Sequence, residues 1–432
     1  MFQPIYVGYE RLVEGSSYTA ELSGQQKKSE SLRDLLKVFG ILKQRYGEVH
    51  VSFAEPVLLD EMLDEASPGW REETRGEEQR PAWLNPLVER LGTRIMTGIN
   101  EATHVNPVNL LAAILLTTRK LAMDREELIR QLDLYLKLLG ACSYSGRISC
   151  TTKTPSEIVA YGIELGVIET REHPLGDIVA VRPEQSVLLA YFRNNISHLL
   201  AVPSLVASCF LNVRSIRAER IKRLSLAVLP FLKAELFLPW DTEGFGTAID
   251  RQIDWLVERG LLTLDPDSGL LERPEGGTEE ELQLRIMGHA LLQTFERYYI
   301  TTAILAKNGS GILSRGELER LCHLTAQRIS LLHEMAAPEF SDRNLFRQFI
   351  SLLREQGVLK TNEDEKLEYN SVIQQINDDS RYILSEEIRY NIIYRGKLLP
   401  NAEFSEVKAK LMAAFPINEQ QAEKKLKRKD QK

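Results

Sequence analysis

Apolar residues recur with two periods along this chain, and the period changes after residue 56. Ile5-Tyr6-Val7 is a run of β-formers; Pro4 fits a strand's start or edge, and Gly8 permits a bulge or close backbone approach. Glu48–Ala54 alternates, with Val49, Val51 and Phe53 to one side, which predicts a second strand. Between them Ser31–Arg45 places Leu32, Leu35, Leu36, Phe39 and Leu42 on one helical face, and Gly47 ends that helix. Two strands and a helix cannot make a stable sheet domain alone. Residues 1–56 therefore predict an incomplete α/β remnant whose remaining strands are supplied from upstream, a part expected to be missing.

Asp60–Pro86 is acidic and punctuated by Trp and Pro, so residues 57–90 predict a connector. The helical period dominates the stretch 91–415. Pro107–Met123 predicts a strongly apolar helix, followed by Asp124–Leu139, which opens on an Asp124…Glu127 capping pair. Three times a helix then ends at Gly and runs into a short apolar strand, a polar turn and a return strand. The glycines are Gly166, Gly260 and Gly357, 94 and 97 residues apart. Each suits a left-handed helix end, and the units resemble winged-helix modules. The predicted fold is mainly α, with short β-hairpins.

Charge and composition narrow the function. Lys and Arg number 54 against 61 Asp and Glu, a net charge of −7, and this argues against nucleic acid as a partner. The composition, 43% hydrophobic and 27% charged, is that of a soluble globular protein. The four cysteines (Cys142, Cys150, Cys209, Cys322) form no CxxC pair and read as reduced core residues. Asn194–Val213 is uncharged and long enough to span a bilayer, but eight polar or Pro positions favour a helix buried in protein, bent or ended at Pro203. Partial insertion into one leaflet is the other reading, and Leu224–Leu238 poses the same choice. The tail 416–432 is basic: its last ten residues carry six basic and two acidic side chains. It reads as a solvated end or as a polybasic patch for an anionic leaflet.

Several segments, taken in order, resemble the bacterial membrane-associated glycerol-3-phosphate acyltransferases. They are Pro4–Glu10 (PIYVGYE), Ser17–Gly24, Lys28–Leu32, Val51–Pro56, Tyr191–His198, Leu232–Leu238, Gln327–His333 and Pro338–Phe340. The resemblance covers the family's second half only. It implies transfer of a fatty acyl group from acyl-ACP or acyl-CoA to sn-glycerol 3-phosphate, giving lysophosphatidate for phospholipid synthesis. It also implies a peripheral position on the cytoplasmic face of the inner membrane, contact with the phospholipid surface, and no cofactor. Pro4, Tyr6, Tyr9 and Glu10 match a family motif thought to line the acyl or substrate pocket, although Gln3 stands where the family has an aliphatic residue.

Acyl transfer to a hydroxyl needs a general base, a group orienting it and donors for the oxyanion. The family is understood to use a His with Asp five positions on. None of the seven histidines here has that partner. His50 and Glu55 are at odd spacing along a strand, which sends them to opposite faces, and His173 with Asp177 reads as a turn. Glu14-Gly15-Ser16-Ser17 and Glu275-Gly276-Gly277-Thr278 lack the arginine of the family's phosphate-binding segment. Asn308-Gly309-Ser310-Gly311 is followed by the capping pair Ser314…Glu317, so it reads as a helix start, and no metal-ligand spacing occurs. No catalytic residue is assigned, and the chain alone is expected to be inactive. The alternative is a non-catalytic helical interaction or regulatory module.

Overall fold

The computed structural model describes residues 1–12, 45–71, 81–118, 120–182, 185–332 and 338–395. The expected helix over Ser31–Arg45, the Glu14–Ser17 turn and the basic tail lie outside the described residues, Arg45 excepted. The chain opens with an antiparallel pair, β1 (Ile5–Tyr9) and β2 (Val49–Phe53), in the register Ile5↔Phe53, Val7↔Val51, Tyr9↔Val49. Helices α1 (Leu59–Ala66) and α2 (Leu84–Glu101) lead from this ribbon into a mainly helical body with small sheets.

That body is built on one order of elements used three times. The first unit runs α3 (Pro107–Leu115), β4 (Ala122–Asp124), α4 (Arg125–Cys142), α5 (Pro155–Glu164), β6 (Ile168–Arg171) and β7 (Ile178–Val181). Two short strands, β3 (His104–Val105) and β5 (Ser149–Cys150), pair in parallel beside it. After α6 (Ser186–Asn194) the second unit runs α7 (Ser197–Ser208), β8 (Ser215–Arg217), α8 (Ala218–Leu236), α9 (Thr242–Glu258), β9 (Thr263–Asp265) and β10 (Leu270–Glu272). After α10 (Glu279–His289) the third runs α11 (Leu292–Asn308), α12 (Arg315–Leu332), α13 (Arg343–Glu355), β11 (Leu359–Thr361) and β12 (Leu367–Tyr369). The first two sheets have the same order, β4-β7-β6 and β8-β10-β9. In the third the first strand shrinks to the bridge Ser314↔Lys366. Helices α14 (Ser371–Ile383) and α15 (Glu386–Arg395) follow. Helix, strand, helix, helix, hairpin is the order of a winged-helix module.

Local chemistry sets the boundaries. Gly166, Gly260 and Gly357 all take left-handed φ, 73°, 71° and 68°, and so turn each third helix into its hairpin. Helix α5 starts on a Thr154–Glu157 capping box and α12 on Ser314, whose amide and hydroxyl both donate to Glu317. One expectation is corrected. The apolar helix predicted over Pro107–Met123 stops at Leu115. The Thr117 and Thr118 hydroxyls donate back to the carbonyls of Ile114 and Leu115, Leu121 takes φ of 51°, and Ala122–Asp124 pairs with β7 instead. Asp124 still caps α4, accepting from the amides of Glu126 and Glu127.

Helix α7 settles how the uncharged stretch is used. All twelve of its residues are buried, and Pro203 sits inside it without ending it. Its polar groups are satisfied within the protein: the Ser204 hydroxyl donates to the Gly288 carbonyl and accepts from the Leu291 amide. No described helix is long and apolar enough to cross a membrane.

Candidate functional site: the amino-terminal ribbon and its seat

A two-stranded ribbon has two faces, and the alternation of side chains gives this one opposite characters. Pro4, Tyr6, Gly8 and Glu10 point inward and are buried. Ile5, Val7 and Tyr9, paired across the ladder with Phe53, Val51 and Val49, point outward and stay 40–61% exposed. The four residues expected to bind substrate are thus divided. Pro4, Tyr6 and Glu10 seat the ribbon, and Tyr9 lies on the outer face.

The inward groups are fully engaged. Pro4 packs on α2, where a Cβ at Gly98 would lie 3.2 Å from its Cγ. The Tyr6 hydroxyl donates to the His104 carbonyl at 3.1 Å, and burial raises its pKa to about 12, with a smaller contribution from Tyr191. Glu10 accepts from the Glu48 amide at 2.6 Å and from the Tyr161 hydroxyl at 2.5 Å. Gly47, at φ 72°, permits this, because any Cβ there would collide with the Glu10 carboxylate. One carboxylate therefore ties the end of β1, the start of β2 and helix α5 together. The Asn106 side chain donates to the Tyr9 carbonyl at 3.1 Å, adding a tie to α3.

Behind the ribbon lies a second layer of polar contacts that spacing along the sequence did not reveal. The rings of His50 and His104 stack with centroids 3.8 Å apart, and the Nδ1 of His104 is 2.8 Å from the Ser149 hydroxyl. Burial and the neighbouring His50 lower the His104 pKa to about 4. His198, fully enclosed, has the Thr103 hydroxyl 3.1 Å from Nε2 and the Tyr144 hydroxyl 2.5 Å from Nδ1. Its pKa falls to about 3 because burial disfavours the charged ring, so it stays neutral, donating from one nitrogen and accepting at the other. His198 and Tyr191 belong to a segment singled out by resemblance; the roles of His104 and Tyr144 carry no signal in the sequence.

The Nδ1 of His104 and both ring nitrogens of His198 meet hydroxyls rather than carboxylates. Among the described residues, no three His, Cys, Asp or Glu side chains converge as a metal site would require. Among the described residues, the outer face offers apolar packing surface and no acid–base pair.

Residues 18–362 match the family model described as the glycerol-3-phosphate acyltransferase C-terminal region. The chain is 46% identical over 395 residues to a glycerol-3-phosphate acyltransferase of Xanthomonas campestris, covering 91% of this chain and 45% of that protein. Enzymes of the same name from Xylella fastidiosa and Ectopseudomonas mendocina are 45% and 41% identical, over 45% and 47% of their lengths. The chain belongs to the glycerol-3-phosphate acyltransferase family. It spans less than half the length of these curated relatives. The family match runs through the first two winged units and into the third, ending just after β11.

Proposed function

We propose that this chain acts as the C-terminal part of a glycerol-3-phosphate 1-O-acyltransferase. A fatty acyl group would pass from acyl-ACP or acyl-CoA to sn-glycerol 3-phosphate, giving lysophosphatidate for phospholipid synthesis. In the reaction implied by the resemblance, a histidine held by an aspartate removes the hydroxyl proton. The oxygen attacks the thioester carbonyl, and the C–S bond breaks to release the thiol. That histidine and aspartate would come from the acyltransferase half of the enzyme, which would add strands to the ribbon.

The observation that carries this reading is the outer face of the ribbon. Six apolar side chains from two strands stand exposed, and a two-stranded ribbon is marginal without further cover. In the assembled enzyme Tyr9 would face the added half, whereas Pro4, Tyr6 and Glu10 would set the position of the strand rather than touch substrate. Attachment to the membrane would be peripheral, at the cytoplasmic face.

The test is a thioester-release assay with glycerol 3-phosphate. The chain alone is expected to show no turnover, and co-expression with a histidine-bearing acyltransferase half is expected to restore it. Val7→Glu with Val51→Glu should abolish that restoration while leaving the melting temperature of the isolated chain within a few degrees. Turnover by the isolated chain would overturn the proposal. Binding of the half without any turnover would favour the non-catalytic module.

A further inference from the structure

An open pocket of about 580 Å³ lies between β8, the start of α8 and the end of α14, and it shares no residue with the ribbon or its seat. Arg217, Arg220 and Arg223 line it together with Tyr382, Ser215 and Glu219. The sequence concentrates positive charge here. Residues 214–223 (RSIRAERIKR) hold five basic side chains and one acid, in a chain of net charge −7.

Local physics disfavours this arrangement. Like charges three residues apart on a helix repel, and the three arginines stand at the positive end of the α8 dipole, where cations are unfavourable. The fold compensates only one of them. Arg220 donates to the Asp379 carboxylate at 2.6 Å, and its guanidinium lies 5.1 Å from the centre of the Tyr382 ring. Asn212 holds that end of α14 by donating to the Tyr382 and Ile383 carbonyls at 3.1 Å. Arg220 is thus a fixed wall of the pocket. Lys222, on the neighbouring face of α8, is committed to Asp250. Arg217 and Arg223 are exposed and, among the described residues, pair with no acid. A concave site holding cations that the fold leaves uncancelled gathers anions, and planar guanidiniums match the oxygens of a phosphate.

We propose that this pocket binds a phosphate group, carried by an anionic lipid headgroup or by a small soluble molecule. Arg217 and Arg223 close on its oxygens beside the fixed Arg220. Glu219 lines the same pocket, opposes the anion and limits the affinity. The proposal does not depend on the acyltransferase reading.

Two titrations of the 432-residue chain test it: inorganic phosphate followed by calorimetry, and phosphatidylcholine vesicles with and without phosphatidate followed by co-sedimentation. Saturable binding of inorganic phosphate assigns the pocket to a soluble ligand. Binding to the phosphatidate vesicles without it assigns the pocket to a lipid headgroup. Arg217→Gln with Arg223→Gln should weaken the binding at least about tenfold. Both side chains are exposed, so the melting temperature should hold within a few degrees. Arg354→Gln with Lys360→Gln removes the same charge from another exposed surface and should change the affinity less than about twofold. Glu219→Gln removes the opposing acid and should tighten binding by a factor of about two to five, a gain that misfolding cannot imitate. The proposal is overturned if neither probe binds, if the two double variants lose binding alike, or if Glu219→Gln fails to tighten it. Tighter binding of a random DNA duplex than of either probe would overturn it as well.

Discussion

At the scale of single residues, the buried carboxylates and imidazoles do different work from the catalysis that motif-hunting looks for. Glu10 holds three elements through two short hydrogen bonds, and bonds to a charged acceptor are worth about 1.5–3 kcal/mol each. Glu10→Gln and Tyr161→Phe should each destabilise the chain in urea titrations by about 1–3 kcal/mol. Because they break one contact, the double variant should lose less than the sum; strict additivity would show that Tyr161 and Glu10 do not interact. Glu296 on α11 is the opposite case: it is buried, its Oε2 lacks a partner, and burial raises its pKa from 4.5 to about 8. The folded chain keeps that proton where the unfolded chain has released it, so stability is full below about pH 4.5 and declines as pH rises to about 8. His198 acts with the other sign. The unfolded ring takes a proton below its ordinary 6.5 and the folded ring resists down to about 3, so stability falls as pH drops from about 6.5 toward 3. His104, lowered to about 4, adds to the acid-side loss, so melting curves should peak near pH 6.5 with a falling limb on each side. Glu296→Gln should flatten the alkaline limb, leaving the variant more stable than the parent at pH 8 by an amount on the order of a few kcal/mol. An unchanged alkaline limb would count against a buried protonated Glu296.

At the scale of elements, glycine is used for two separable reasons. Gly357 has open space where a Cβ would go but a left-handed backbone, so its substitution costs conformational strain alone. Gly357→Ala should cost about 1–2 kcal/mol and Gly357→Asn less, since Asn tolerates that region. Gly288 on α10 has ordinary helical φ, yet a Cβ there would lie 3.1 Å from the Ser208 amide nitrogen and 3.2 Å from the Ala207 carbonyl carbon. Backbone cannot give way as a side-chain tip can, so Gly288→Ala should push α10 off α7 and weaken the Ser204 bonds, at about 1–3 kcal/mol. Denaturant midpoints with Gly288→Asn no worse than Gly288→Ala would contradict a steric cause. The third helices of the winged units also differ from those that enter a DNA groove. Helix α5 carries no Lys or Arg, and on α13 both Arg343 and Arg347 are held by Glu319 on α12. The fold is shared with DNA-binding modules while the charge pattern is not.

For the molecule as a whole, what the sequence discloses is what local rules control. The left-handed glycines, the caps at Thr154 and Ser314 and the alternation in β1 can be read from neighbouring residues. The full repeat cannot, because the first strand of each unit is only three residues long, or a lone bridge in the third, and is selected by pairing with a distant hairpin. The four ribbon residues are found by pattern, but their inward or outward direction becomes clear only when Tyr161, Asn106 and His104 arrive from elsewhere in the chain. The same distinction governs stability. A single apolar core runs from Val105 to Ile392 through all three units, with α7 wholly inside it. The ribbon has a separate small core of Tyr6, Ala54 and Ala102, assisted by the polar ties around Glu10 and Tyr6. Elements with little buried apolar area open at lower free energy than those in a continuous core. Native-state hydrogen exchange should therefore show the amides pairing β1 with β2 exchanging through an opening at least about 2 kcal/mol below the global unfolding that exposes α7. Glu10→Gln raises the native state from which both openings start, so it should lower the opening energies of the ribbon and of α7 by the same amount. If ribbon and α7 amides instead exchange at one common free energy, the ribbon is an integral part of the body, and its outer face would need a different explanation from a surface awaiting further strands.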